Sequence, residues 1–159
     1  IHNPSAAELE QVLQPDGALA ALQEAKAAGK IGHIGITLHP VTMFEKAVEL
    51  DWVETIMFPY NIVETQGEEL IRKCGEKNIG FIDMKPLAGG AIDDAPLALS
   101  FIAANPDVTV VIPGVAATEE MEQNIAAMEQ PLEIKPEQLQ KSAIRYFCTL
   151  TNWMMDQVK

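Results

Sequence analysis

Short apolar stretches and helix-forming stretches alternate four times along this chain, and no other feature narrows the choice of fold so far. His33 to Leu38, Glu54 to Phe58, Gly80 to Met84 and Val108 to Ile112 are near-continuous apolar runs, several rich in β-branched residues. Such runs read as strands buried on both faces. Helices are predicted after them over 42–50, 65–78, 95–105 and 118–128. Strands joined by helical crossovers build a parallel sheet. The predicted class is therefore α/β, as a doubly wound open sheet of flavodoxin type or as part of a closed barrel. Periodicity does not choose between the two.

Local stop and start signals fill in the rest. Ser5 reads as the cap of a first helix reaching Leu13, and Pro15-Asp16-Gly17 as a turn. A second helix is predicted from Ala18 to Ala28, closed by Gly29 in a left-handed cap. Thr118 is expected to cap the helix that follows the fourth strand, with Glu119 and Glu120 in its first turn. Pro136 opens a final helix that runs past Arg145. The opening Ile1-His2-Asn3-Pro4 reads as the end of a strand entering a loop, which predicts something upstream. No linker or repeat divides the sequence, so residues 1–159 are expected to form one domain.

Charge removes several classes of function. With 23 acidic against 11 basic residues and a formal net charge of −12, the chain would be repelled by nucleic acid and by anionic membranes. Neither partner is expected. Cys74 and Cys148 lie far apart, with no Cys-x-x-Cys or Cys/His spacing to hold a metal, so no metal site is predicted. A reducing, cytoplasmic setting fits that cysteine usage.

Ligands of parallel α/β folds lie at the C-terminal ends of the strands. The first end carries Thr37 and His39, either to bond a polar ligand or to serve as a turn cap and a solvated loop residue. At the second, Met57-Phe58-Pro59-Tyr60-Asn61, Tyr60 reads as substrate-binding or core-filling. The third, Asp83 to Gly90, joins Lys85 to two glycines that allow a phosphate to approach the backbone. Its bland counterpart is a tight turn with Lys85 paired to Asp83 or Asp93. Around the fourth end, Ile112 to Thr118, a helix N-terminus would suit an anion were Glu119 and Glu120 not already there.

Lys30-Ile31-Gly32-His33-Ile34-Gly35-Ile36-Thr37, Met57 to Asn61, Met84 to Gly90 and Val111 to Gly114, in this order and at these intervals, resemble the second half of the aldo-keto reductase family. The resemblance runs from Ile1 to about Met128 and implies a partial (β/α)8 TIM barrel. It would hold parallel strands five to eight with their helices over 1–130, followed by a C-terminal helical extension over 131–159. Members reduce aldehydes or ketones to alcohols with hydride from NAD(P)H, using an Asp, Tyr, Lys and His tetrad. Of these only the histidine has a counterpart, at His2, which implies that this half alone is inactive. The rival expectation is a natural half-barrel that serves as a binding or assembly module.

The same resemblance implies cofactor-binding residues. Thr37 and Leu38 match a serine-asparagine pair that holds the carboxamide, and Met57 stands where many members have glutamine. Met84 matches the aromatic residue that stacks on nicotinamide. Lys85, Pro86, Leu87 and Gly89 fall in the loop under the pyrophosphate, and Gly114, Ala116, Glu120, Gln123 and Asn124 match the adenosine end. The basic residues that clasp a 2′-phosphate are missing, which implies NADH or relaxed preference. Met-Lys-Pro-Leu-Ala-Gly-Gly resembles a branch that carries an iron-sulfur segment, and Cys148 matches its first cysteine. The residues after Cys148 lack the expected neighbours, so no cluster is predicted. Expected partners are a small carbonyl substrate and either a second copy of the chain or the N-terminal half of a barrel.

Overall fold

A computed structural model describes residues 1–157. Strands β1 (Gly35–Thr37), β2 (Thr55–Pro59), β3 (Gly80–Met84) and β4 (Val110–Ile112) form one four-stranded sheet in sequence order. The helices are α1 (Ala6–Val12), α2 (Ala18–Ala27), α3 (Val41–Ala47), α4 (Glu68–Glu76), α5 (Ala95–Ala103), α6 (Thr118–Glu129) and α7 (Pro136–Gln157). The alternation read from sequence is thus the order of the fold, an α/β architecture with a helix after each strand.

β1 and β2 are parallel, with Gly35 opposite Thr55, Ile36 opposite Ile56 and Thr37 opposite Met57. β1 is shorter than the predicted run from His33, yet its pairing extends further. Glu54 N–H donates to the Ile34 carbonyl and Leu38 N–H to the Met57 carbonyl, each at 2.9 Å. The early residues leave the ladder because Glu54 engages them by its side chain, accepting from Ile34 N–H at 2.9 Å and meeting His33 Nδ1 at 3.0 Å.

The chain divides into two compact units, one of Ile1–Phe58 and Gln66–Ile82, the other of Pro59–Thr65 and the residues from Asp83 onward. In the first unit Phe44 lies 5.0 Å from Phe58 and 5.9 Å from Phe81, ring centroid to ring centroid. Leu38, Ile56, Ile71 and Cys74 are also fully buried. Each such aromatic or aliphatic side chain contributes about 1.5–3 kcal/mol of burial free energy. A Cβ on Gly35 would sit 1.9 Å from Thr55 Oγ1, so the close approach of β1 to β2 requires glycine there. α1 begins with the capping box its sequence suggests: Glu8 N–H donates to Ser5 Oγ and Ser5 N–H to Glu8 Oε2. Beyond α2, Gly29 takes φ +71°, as a left-handed cap requires.

In the second unit α5 packs against α6, and Tyr60 lies 5.3 Å from Phe101. Asp94 caps α5 by accepting from Leu97 N–H at 3.1 Å. Ser100 Oγ donates to the Pro96 carbonyl at 2.6 Å and accepts from Leu132 N–H at 2.9 Å. Arg145 of α7 is ion-paired with Asp93.

Two expectations need correction in this unit. Thr118 is not the cap of α6: Ala117 occupies that position without a side-chain bond, and Glu120 instead accepts from Ala116 N–H at 2.7 Å. A glutamate one turn into the helix reaches back to a loop donor, as in half of a capping box, and Thr118 lies inside the helix as its first residue. β4 is not buried on both faces, since Val110 and Ile112 are 45% and 43% exposed. Among the described residues it is an end strand of the sheet, beside β3.

Candidate functional site

The first unit carries His2, Thr37, Leu38 and Met57. Residues 1–3 run alongside β1: Thr37 N–H donates to the Ile1 carbonyl at 2.9 Å and Asn3 N–H to the Thr37 carbonyl at 2.8 Å. This places exposed His2 directly opposite Thr37 in a parallel bridge. The β alternation then sorts the side chains. Ile36, Leu38, Ile56 and Phe58 are buried, whereas Thr37 and Met57 are half-buried neighbours in register. Thr37 Oγ1 lies 3.9 Å from Met57 Sδ, a weak bond that leaves the hydroxyl free to take a stronger acceptor. Leu38 is fully buried and has no polar atom on its side chain. His39 is exposed, with its N–H on Asn3 Oδ1 at 3.2 Å.

The second unit carries the remainder, beginning with Met84, which is buried. From Lys85 to Gly90 the chain makes a tight turn ending in one 3-10 turn (Ala88–Gly90), which the sequence pattern did not predict. Lys85, Ala88, Gly89 and Gly90 all have positive φ, at +59°, +48°, +68° and +90°. Ala88 N–H bonds back to the Lys85 carbonyl at 2.9 Å and Gly90 N–H to the Leu87 carbonyl at 2.8 Å. Backbone near the right-handed region at Leu87 (φ −105°, ψ 21°), followed by left-handed Ala88, makes a concave turn of the kind that suits an anion, with the Ala88 N–H used inside the turn and those of Leu87 and Gly89 flanking it.

Lys85, Pro86, Leu87, Gly89 and Gly90 line a cleft of about 460 Å³ together with Ile112 and Gly114. Its one charged side chain is Lys85, which is exposed. The lysine pairs with neither acid considered for it: Asp93 is taken by Arg145, and Asp83 accepts from the backbone N–H of Tyr60. Ala116 and Glu120 are joined by their hydrogen bond, exposed Gln123 lies on α6, and Asn124 is buried there. Of the residues matched to the adenosine end, Gly114 alone lines the cleft.

Beneath this loop is a polar cluster whose importance the sequence reading missed. Asp83 is fully buried, its Oδ1 accepting from Tyr60 N–H at 3.0 Å while Oδ2 has no hydrogen-bond partner among the described residues. Desolvation pushes its pKa up to about 8, helped by the charge of Glu64 and opposed by the Tyr60 N–H. Asn61, also fully buried, donates to Glu64 Oε2 and to the Lys85 carbonyl and accepts from Val63 and Glu64 N–H groups. Tyr60 is 1% exposed, which favours core filling over substrate contact. One signal was available: an aspartate two residues after Phe81 falls on the buried face of β3.

The sequence profile of the aldo/keto reductase family matches residues 2–96. An uncharacterized oxidoreductase of Schizosaccharomyces pombe is 26% identical over 118 residues, covering 64% of this chain and 39% of its own length. Among solved structures, the holo form of aldo-keto reductase AKR11C1 from Bacillus halodurans superposes with a TM-score of 0.68 at 20% identity. The thermostable aldo-keto reductase Tm1743, in complex with the inhibitor epalrestat, does so at 0.65 and 18%. Both matches cover 91% of this chain and 58% of theirs. The fold is therefore that of part of a TIM barrel, and the chain spans about two fifths of its curated relative and under three fifths of these structures.

Proposed function

Since the chain belongs to the aldo/keto reductase family, we propose that it supplies the cofactor-holding part of an oxidoreductase that reduces aldehydes or ketones to alcohols with NAD(P)H. One observation carries this reading: the Lys85–Gly90 turn presents left-handed backbone and an exposed lysine to a cleft of about 460 Å³, the chemistry that suits a diphosphate.

The rest of the residues fit a dinucleotide unevenly. Thr37 offers a hydroxyl for a carboxamide, and the Met57 thioether beside it packs on apolar or aromatic groups rather than bonding polar ones. Met84 offers the same soft surface. Glu120, held to Ala116 N–H, disfavours a second phosphate nearby, so NADH is bound at least as well as NADPH. When bound, the nicotinamide supplies the hydride for the carbonyl carbon. To His2, exposed opposite Thr37, we assign the bond to the carbonyl oxygen. The Asp, Tyr and Lys of the family tetrad have no counterparts here, so the chain alone is slower by roughly 10²- to 10⁴-fold for want of a proton donor. Cys74 is buried and Cys148 exposed, with no disulfide between them, which agrees with a reducing compartment, taken here to be the cytoplasm.

Titration of the chain with NADH and with NADPH, followed by nicotinamide fluorescence, tests the reading. Saturable binding that weakens about tenfold in Lys85→Met, the loss of one charge-assisted phosphate contact, is expected. Absence of binding to either nucleotide would overturn it. The exposed apolar residues of β4 favour a second reading, an assembly module that pairs with another copy or with the N-terminal half of a barrel. Sedimentation showing a monomer at all concentrations, alone and with that half, excludes it.

A further inference from the structure

Lys85 carries a Cβ yet holds φ +59°, a region that L side chains other than Asn and Asp seldom enter without external support. Its carbonyl has two donors on it. One is Ala88 N–H at 2.9 Å, from within the turn itself. The other is Asn61 Nδ2 at 3.0 Å, from 24 residues away in sequence. The Asn61 amide is buried and fully used, giving its second donor to Glu64 Oε2 at 2.8 Å and accepting from Val63 and Glu64 N–H at 3.0 Å each. With all four of its bonding positions occupied, the amide is fixed in place and so fixes the peptide that follows Lys85.

We propose that Asn61 is a positioning residue of the anion-cradling turn: its amide holds the Lys85 carbonyl, keeps Lys85 left-handed, and so aims the N–H groups of Leu87 and Gly89, on either side of the internally bonded Ala88 N–H. The assignment of a ligand to that turn rests on the proposed cofactor role, whereas the effect on the turn's conformation does not. Asn61 acts through the conformation of Lys85, and that makes the two positions energetically coupled. Glycine adopts positive φ without steric cost, so Lys85→Gly relieves the need for Asn61.

The experiment is a double-mutant cycle of Asn61→Ala and Lys85→Gly in the 159-residue chain, read by amide hydrogen exchange at Ala88 and Gly90 and by NADH titration. Asn61→Ala is expected to speed exchange at Ala88 and weaken NADH binding about tenfold when Lys85 is present, and less than about twofold in the Lys85→Gly background. Equal acceleration of Ala88 in both backgrounds, or none in either, overturns the proposal, because a purely structural asparagine would act independently of residue 85. Should exchange follow the cycle while no variant binds NADH, the cofactor reading fails and the positioning role stands. If Asn61→Ala does not give a dispersed amide spectrum, Asn61→Asp replaces it. That change keeps the acceptor for Val63 and Glu64 N–H, replaces the donors by a carboxylate oxygen that repels Glu64 Oε2 and the Lys85 carbonyl, and is judged by the same two outcomes.

Discussion

Replacing Asp83 by asparagine should change how stability depends on pH more than it changes stability at any one pH. The folded chain holds Asp83 at a pKa of about 8 against 3.8 for the free side chain, because its buried Oδ2 meets no donor. Between those two values the folded state keeps a proton that the unfolded state has released. Stability from this group is therefore complete below about pH 4, declines as pH rises, and is gone above about 8. The slope approaches about 1.4 kcal/mol per pH unit, so the fall from pH 5 to pH 7 is roughly 2–3 kcal/mol. Asparagine retains an oxygen for Tyr60 N–H and cannot ionise. Urea unfolding of both proteins at pH 5, 6, 7 and 8, followed by circular dichroism, should show the variant gaining on the parent by that amount between pH 5 and 7. Parallel curves would refute the argument, since they would mean that Asp83 titrates alike folded and unfolded.

Three other perturbations have defined outcomes. Phe44→Ala empties the centre of the Phe44, Phe58 and Phe81 cluster and should cost about 3–5 kcal/mol, lowering the Tm by roughly 10 °C in a thermal melt. Lys26, His33 and the Ile34 N–H hold Glu54 at a pKa of about 2. Its stabilisation is present above about pH 4.5 and lost as pH falls toward 2, so Glu54→Gln should flatten the acid limb of a pH-stability curve. Glu120→Arg should move the NADPH to NADH affinity ratio roughly 5- to 10-fold toward NADPH, measured by fluorescence titration. An unchanged ratio would separate this residue from the adenosine end.

Much of the fold was legible in the sequence because it is dictated locally. β3 spans Gly80–Met84 as predicted, since the run is apolar and flanked by Asn78 and Pro86. The Ser5 cap and the Gly29 stop also depend on residues within one turn. What escaped depends on particular side-chain bonds that neither periodicity nor cap preference reveals. α4 starts at Glu68 rather than Thr65 because Asn61 and Glu64 first close a turn by side-chain and backbone bonds. Nothing local distinguishes Thr118 from a cap until Glu120 is seen on Ala116 N–H. For the candidate site, Lys85 and its glycines were visible as chemistry, but the amide beneath them was not. Asn61 and Lys85 are 24 positions apart, and only folding brings one to the other.

The shape of the Lys85–Gly90 turn lies in its dihedral angles, and that has a bearing on how such a segment tolerates change. Side chains there can be exchanged widely while the shape persists, so a saturation scan should accept many polar residues at Ala88. It should reject valine, isoleucine and proline, which do not enter left-handed space. Two proteins could then share this cradle while agreeing at few of its letters.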